Sequence, residues 1–267
     1  MAGVLAVVGG AMTLFPQQKA VTMIPAANAM TAMASMASPD RTSWSRRNSA
    51  PRYEAIDLGV PDGEYSVEPR GASPNGRYVV GHVSTRYGMR AFIWKDGVIR
   101  YVAPPLSTAE AVNDSGVAVG QIYPGEHESH AVVWNGGMKR LFNGTDTSWA
   151  RGIDNKGNIY GTHVVNSGSR AYLRNPNGSI TYFETAPELK SFFGVANQRQ
   201  QLVFSTWPRS SIDAKDIEHF YWNGTKRQEL PPLKSGLQCF MGGMNDKGMI
   251  VGRALIDPYT SMPVLWK

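Results

Sequence analysis

The side chains able to do chemistry are spread along this 267-residue chain rather than gathered at motif spacing. Its five histidines are His82, His127, His130, His163 and His219, and a zinc site would need three or four such ligands to converge. His130 and His219 read as occupying one recurring position that Arg90 and Arg170 fill elsewhere, which points to a structural place at a strand edge. Cys239 is the only cysteine. It excludes an intramolecular disulfide and, within Leu-Gln-Cys-Phe-Met, reads as a small buried hydrophobe. Asp114, Asp154 and Asp246 could serve calcium or acid catalysis, but they recur in turns, where an Asp or Asn side chain bonds the backbone two residues on. The sequons at Asn143, Asn177 and Asn223 are also read as turn chemistry. No metal and no cofactor is implied.

The elements that carry these residues repeat. Pro74-Asn75-Gly76 precedes Val79-Val80-Gly81, and Asn113-Asp114-Ser115-Gly116 precedes Val117-Ala118-Val119-Gly120. Asp154-Asn155-Lys156-Gly157 precedes Asn158-Ile159-Tyr160-Gly161, and Asn245-Asp246-Lys247-Gly248 precedes Met249-Ile250-Val251-Gly252. A degenerate fifth copy runs from Asn197 to Phe204. The closing positions 81, 120, 161, 204 and 252 are spaced 39, 41, 43 and 48 residues apart, the period of a four-stranded propeller blade. A second strand recurs in each unit, as in Arg90-Ala91-Phe92-Ile93-Trp94 and His130-Ala131-Val132-Val133-Trp134. Asp96-Gly97, Asn135-Gly136, Asn177-Gly178 and Asn223-Gly224 follow four of these strands with the positive-φ tolerance of tight hairpins.

The fold expected is therefore all-β: a five-bladed β-propeller of four-stranded antiparallel blades. The last unit stops at Lys267 after three strands, while Tyr53 to Leu58 reads as a strand without a blade. Placed outermost in the last blade, it closes the ring and removes an exposed edge. In Tyr53 to Gly59, the Asn-Asp-x-Gly turns and the His/Arg-Ala-aromatic strands ending in Trp, the chain resembles the HAF repeat family, described as probable extracellular repeats. The resemblance covers residues 53–267 and implies a propeller-like fold and secretion or surface exposure, with no single activity. Arg174 in place of Trp, and a fourth unit without its glycines, predict irregularity in the third or fourth blade.

Such a ring separates short, regular turns on one face from variable loops on the other, and variable loops on a rigid scaffold are where binding resides. Those loops supply the candidate ligand-binding aromatics Tyr87, Tyr123, Trp149, Trp207 and Tyr259, with Phe192 beside them. Flat amphipathic rings suit sugar faces or a partner protein. The expected function is an exported, non-catalytic propeller binding a carbohydrate or a protein partner on its loop face. A glycoside hydrolase would need two carboxylates about 5–9 Å apart at the central channel. The inner strands, read as 70–73, 109–112, 151–153, 193–196 and 241–244, offer one acid, Glu110, so no catalytic residue is assigned. Acids in the loops, such as Glu126, Glu128 or Asp213, and a purely structural envelope role are the remaining alternatives.

The formal charge of +6 and pI near 9.4 raise nucleic acid as a partner. Residues 1–52, however, hold Lys19, Arg41, Arg46, Arg47 and Arg52 against Asp40 alone, which leaves the remainder nearly neutral. No nucleic-acid partner is expected. Residues 1–52 read as a leader: an uncharged apolar run from Met1 to Phe15, a cleavable-looking Ala27-Asn28-Ala29, and a Ser/Pro/Arg-rich linker. The apolar run is too short to span a bilayer, so stable membrane insertion is not expected. A secreted, periplasmic or cell-surface monomer is the resulting expectation.

Overall fold

A computed structural model describes residues 55–267 except 126–127, 145, 166–167, 184–185, 187, 211–215, 233–237 and 258. The leader lies outside the described residues, as do His127, Glu126 and Asp213. The chain divides into residues 1–55 and 56–267, and the second unit carries all the sheets described. Each sheet is antiparallel, and four of the five have four strands in sequence order.

Sheet one holds β1 (Ser66–Ala72), β2 (Val79–Thr85), β3 (Gly88–Lys95) and β4 (Val98–Pro105), and sheet two holds β5 (Ser107–Val112), β6 (Ala118–Gly125), β7 (Glu128–Trp134) and β8 (Met138–Arg140). Sheet three holds β9 (Ser148–Ile153), β10 (Ile159–Val165), β11 (Gly168–Arg174) and β12 (Ile180–Tyr182). Sheet four holds β13 (Leu189–Ala196), β14 (Leu202–Pro208), β15 (Glu218–Trp222) and β16 (Arg227–Glu229). Sheet five has three strands, β17 (Cys239–Met244), β18 (Ile250–Leu255) and β19 (Ser261–Trp266). Sheets three and four pair as the others do, so the expected irregularity is absent from their strand order. Residues 55–58 form no strand, and β19 has no outer neighbour among the described residues.

The inner strands β1, β5, β9, β13 and β17 converge on one channel, since residues of all five sheets line a single cavity there. One end of the channel is the turn face, where the first turn of every sheet lies; the other is the loop face. Each inner strand breaks register once against its neighbour, skipping Arg70, Glu110, Arg151, Gly194 and Gly242 respectively. These are five equivalent β-bulges, and a bulge turns its extra residue out of the ladder. The bulge also presses the inner backbone onto the second strand. A β-carbon at Gly81, Gly120, Gly161 or Gly252 would run into the carbonyl of Glu68, Thr108, Trp149 or Phe240. That approach accounts for the recurring glycine; in sheet four its place is taken by Phe204.

Alternate residues of the second strand face opposite neighbours. Four apolar cores result, one between each consecutive pair of sheets. Val80, Ala118 and Val132 meet between sheets one and two; Val119, Ile159 and Tyr172 between two and three. Tyr160, Leu202 and Phe220 meet between three and four; Val203, Leu230 and Ile250 between four and five. Polar links repeat as well. The N–H groups of Ala91, Ala131 and Ala171 donate to Ser107, Ser148 and Ser191 Oγ on the next sheet, at 2.9, 3.0 and 2.9 Å. Cys239 stands where those serines stand and is buried.

At the turns, the first Asn or Asp (Asn113, Asp154, Asn197, Asn245) accepts backbone N–H bonds two and four residues on. Asp114 and Asp246 do something else. They accept from the neighbouring sheet, within a belt of N–H donors running Asn75 to Asp114, Asp114 to Asn155, Asn155 to Gln198 and Gln198 to Asp246, at 2.7–3.0 Å. The own-turn bonding expected for all three aspartates therefore holds for Asp154 alone.

His219 is also displaced from expectation. It lies opposite Ser205, in the row of Ala91, Ala131 and Ala171, one residue from the row of Arg90, His130 and Arg170. The alignment slips because β15 carries a single residue, Glu218, before that row. His219 Nδ1 sits 2.8 Å from Ser205 Oγ, and burial lowers its pKa from 6.5 to about 4.

Two stability outcomes follow. The unfolded chain takes up a proton at His219 near pH 6.5 while the folded chain resists, so stability present above pH 6.5 is lost as pH falls towards 4. Thermal melts should lose about 2 kcal/mol between pH 7 and 5 from this group, with His82 and His163, both lowered chiefly by burial, adding in the same direction. His219→Ala should flatten that slope. Gly120→Ala should cost more than about 3 kcal/mol in chemical denaturation, and Gly137→Ala, with no heavy atom within 4 Å of the added carbon, less than about 0.5.

Candidate functional site

The bulges set the chemistry of the channel. Arg70, Glu110 and Arg151 stand at the bulge of sheets one to three, and glycine stands there in sheets four and five. One side of the channel is charged and the other is bare backbone. Arg151 Nη1 lies 3.1 Å from Glu110 Oε2, while Thr108 Oγ1 and Gln121 Nε2 each lie 3.1 Å from Glu110 Oε1. Gln121 Nε2 also donates to the Tyr123 hydroxyl at 2.9 Å.

A second acid stands nearby. The first inner strand begins at Ser66, earlier than expected, and so includes Glu68. Its carboxylate is 3.2 Å from His82 Nε2 and 3.4 Å from Arg70 Nη1. Burial leads the lowering of the His82 pKa, and Glu68 opposes it. Each acid is thus engaged by a cation from a bulge, an ion-pair network that orients side chains around the channel. Of the acids and arginines in this set, Glu110 alone stands out in the sequence as a candidate, beside Tyr123 among the loop aromatics and His82 among the histidines. Glu68, Arg70 and Arg151 sit between recurring residues and carry no periodic signal of their own.

The five aromatics expected to bind ligand fall one to a sheet at the loop-face end. Tyr87 is in the turn after β2, 64% exposed, with the Arg86 guanidinium 4.8 Å from its ring centre. Tyr123 is on β6 and Trp149 on β9, whose carbonyl accepts the Tyr172 hydroxyl at 3.2 Å. Tyr259, between β18 and β19, is 97% exposed. Trp207 on β14 lies flat against Phe192 on β13, with ring centres 4.3 Å apart and planes 4° from parallel. Among the described aromatic pairs, it is the one that joins two of the expected residues. The other four do not meet as ring pairs. A cavity of about 330 Å³ beside Trp207 is lined by Leu189, Thr206, Pro208, Asp216 and Glu218.

No group of three or more potential metal ligands gathers among the described residues. Nor is any described helix long and apolar enough to cross a membrane.

No family model matches the sequence, and no curated protein does. Solved structures share the fold. A TolB candidate from Agrobacterium tumefaciens is 11% identical with a TM-score of 0.54, over 76% of this chain and 77% of that one. TolB from Acinetobacter baumannii is 9% identical with a TM-score of 0.53, over 76% of this chain and about half, 52%, of that one. The β-propeller domain of the Trilobed protease from Pyrococcus furiosus is 10% identical with a TM-score of 0.49, over 75% of this chain and 66% of that one. At such identities the TolB likeness shows an all-β, propeller-like architecture and nothing about activity.

Proposed function

We propose that this chain is an exported, non-catalytic propeller that binds a carbohydrate on its loop face, with Trp207 as the anchor. The coplanar Phe192–Trp207 pair carries the reading, because two stacked rings hold one another rigid before ligand arrives. Thr206, Asp216 and Glu218 in the adjoining cavity add oxygen atoms that accept hydrogen bonds from hydroxyl groups. Export rests on the resemblance to HAF repeats and on the leader-like composition of residues 1–52.

Closure by the N-terminal strand belongs to the same reading. Tyr101, Arg140, Tyr182 and Glu229 pair with Phe92, Val132, Tyr172 and Phe220. In sheets two to four the next residue, Leu141, Phe183 or Leu230, donates its N–H to the third strand. Leu230 precedes Met241, the last inner-strand residue before the bulge, by eleven positions, and Leu58 precedes its counterpart Pro69 by eleven. On that register Asp57 pairs with Val264 of β19, and Leu58 plugs a fifth core. The unmatched face of sheet five supports this: Val80, Val119, Tyr160 and Val203 are at most 1% exposed, whereas Val251 in the same row is 52% exposed.

Two experiments separate these claims. On a glycan array, the intact chain should give saturable binding that falls at least about tenfold in Trp207→Ala; silence across the array transfers the loop face to a protein partner. Asp57→Cys paired with Val264→Cys should form a disulfide within one molecule under mild oxidation. A purely intermolecular product would mean that the strand completes another copy, and no cross-link at all would overturn closure by residues 53–58.

A further inference from the structure

The turn-face end of the channel holds a cavity of about 350 Å³ to which all five sheets contribute. Most of its wall is apolar side chain or bare backbone, including Val112, Ile153, Phe193, Gly194 and Met244. Arg151 is the one charged side chain among the described residues lining it, and it is 44% exposed. Its partner Glu110 is 10% exposed, is held by Thr108 and Gln121, and does not line the cavity. Glu110 therefore holds Nη1 of the guanidinium, while the Arg151 side chain, which belongs to the cavity lining, keeps 44% of its surface exposed.

The rim adds to the same field. Arg77, Lys156, Arg199 and Lys247 are exposed on four of the five turns around this mouth, against the acids Asp114 and Asp246, which accept the belt hydrogen bonds. A cleft with low-dielectric walls and an excess of one charge at its mouth concentrates the opposite ion.

We propose that this cavity binds a small carboxylate with an apolar body, its carboxylate paired with Arg151 and its body against Phe193, Val195 and Met244. A guanidinium matches a planar carboxylate through parallel N–H bonds, and the apolar wall selects an acid with a body over a bare inorganic anion. The site lies at the opposite end of the channel from the Trp207 platform and does not depend on it.

The test is calorimetric titration of the full chain with phenylacetate, and with inorganic phosphate as the anion that lacks an apolar body. Phenylacetate should bind saturably and phosphate at least about tenfold more weakly. Arg151→Gln combined with Glu110→Gln removes the charge without leaving Glu110 unpaired, and should weaken phenylacetate at least about tenfold. Gly243→Phe should block it by filling the cavity, since an added β-carbon there meets only Val251 Cγ2, at 3.8 Å. Melting temperatures confirm that both variants fold. Glu110→Gln alone frees the guanidinium and should tighten binding, while Trp207→Ala should leave it unchanged. No saturable phenylacetate binding, binding that survives the double variant in folded protein, or equal binding of phosphate overturns the proposal.

Discussion

In four of the five sheets the inner strand lies so close to its neighbour that no side chain fits between them, and much of the architecture follows from that approach. The contact is made at the bulge. One residue leaves the ladder, the backbone behind it is pushed onto the second strand, and glycine is required opposite in sheets one, two, three and five. Because a one-residue slip would bring a side chain to that spot, the approach also pins the register. Of the expelled residues, Arg151 and Gly194 line the cavity at the turn-face end of the channel, and Glu110 holds Arg151 from beside it. Arg70, Glu110 and Arg151 on one side, and Gly194 and Gly242 on the other, give the lumen a charged wall and a bare wall.

Between sheets, the same economy repeats. A small residue on the third strand lets the serine of the next sheet reach its backbone N–H, as Ala91, Ala131 and Ala171 do for Ser107, Ser148 and Ser191. His219 and Cys239 replace the Ala and Ser partners between sheets four and five, and burial there keeps the imidazole neutral at physiological pH. Along the turn face the backbone of one sheet is bonded by a side chain of the next. Sheet-to-sheet adhesion thus has an apolar layer in the middle and hydrogen-bonded seams above and below it.

Much of this was legible in the residues. The five units, their strands and their turns follow from Asn-Asp-x-Gly and Ala-aromatic patterns, and the Asp96-Gly97 hairpin has positive φ at both residues as read. The bulge residues were not legible. The bulge recurs once per sheet but the residues that fill it do not, so Pro69-Arg70-Gly71 and Ala109-Glu110-Ala111 do not look alike until the strands are paired. Glu68 falls outside the reading because β1 begins at Ser66, four residues before the start read from the sequence. Aspartates in the turns were assigned to their own backbone, yet whether Asp114 bonds within its turn or across to Asn75 depends on a neighbour some forty residues away. Of the aromatics, the Phe192–Trp207 stack required knowing that β13 and β14 are paired.

The belt at the turns also has a direction. Every link runs from a backbone donor on one sheet to a side-chain acceptor on the next, beginning at Asn75 and ending at Asp246. Sheets that touch only their sequence neighbours behave as a linear array, whose end units open first. Sheet five, with three strands and one packed face among the described residues, is the weaker end wherever the closing strand proposed for it is released. When it opens, Gln198 loses the acceptor for its N–H and Asn197 loses the Asn245 carbonyl, so sheet four is left with unsatisfied groups. Fraying would therefore travel backwards along the sequence, towards sheet one, and the resistance of the whole array to protease would be governed by how firmly its last three strands are held.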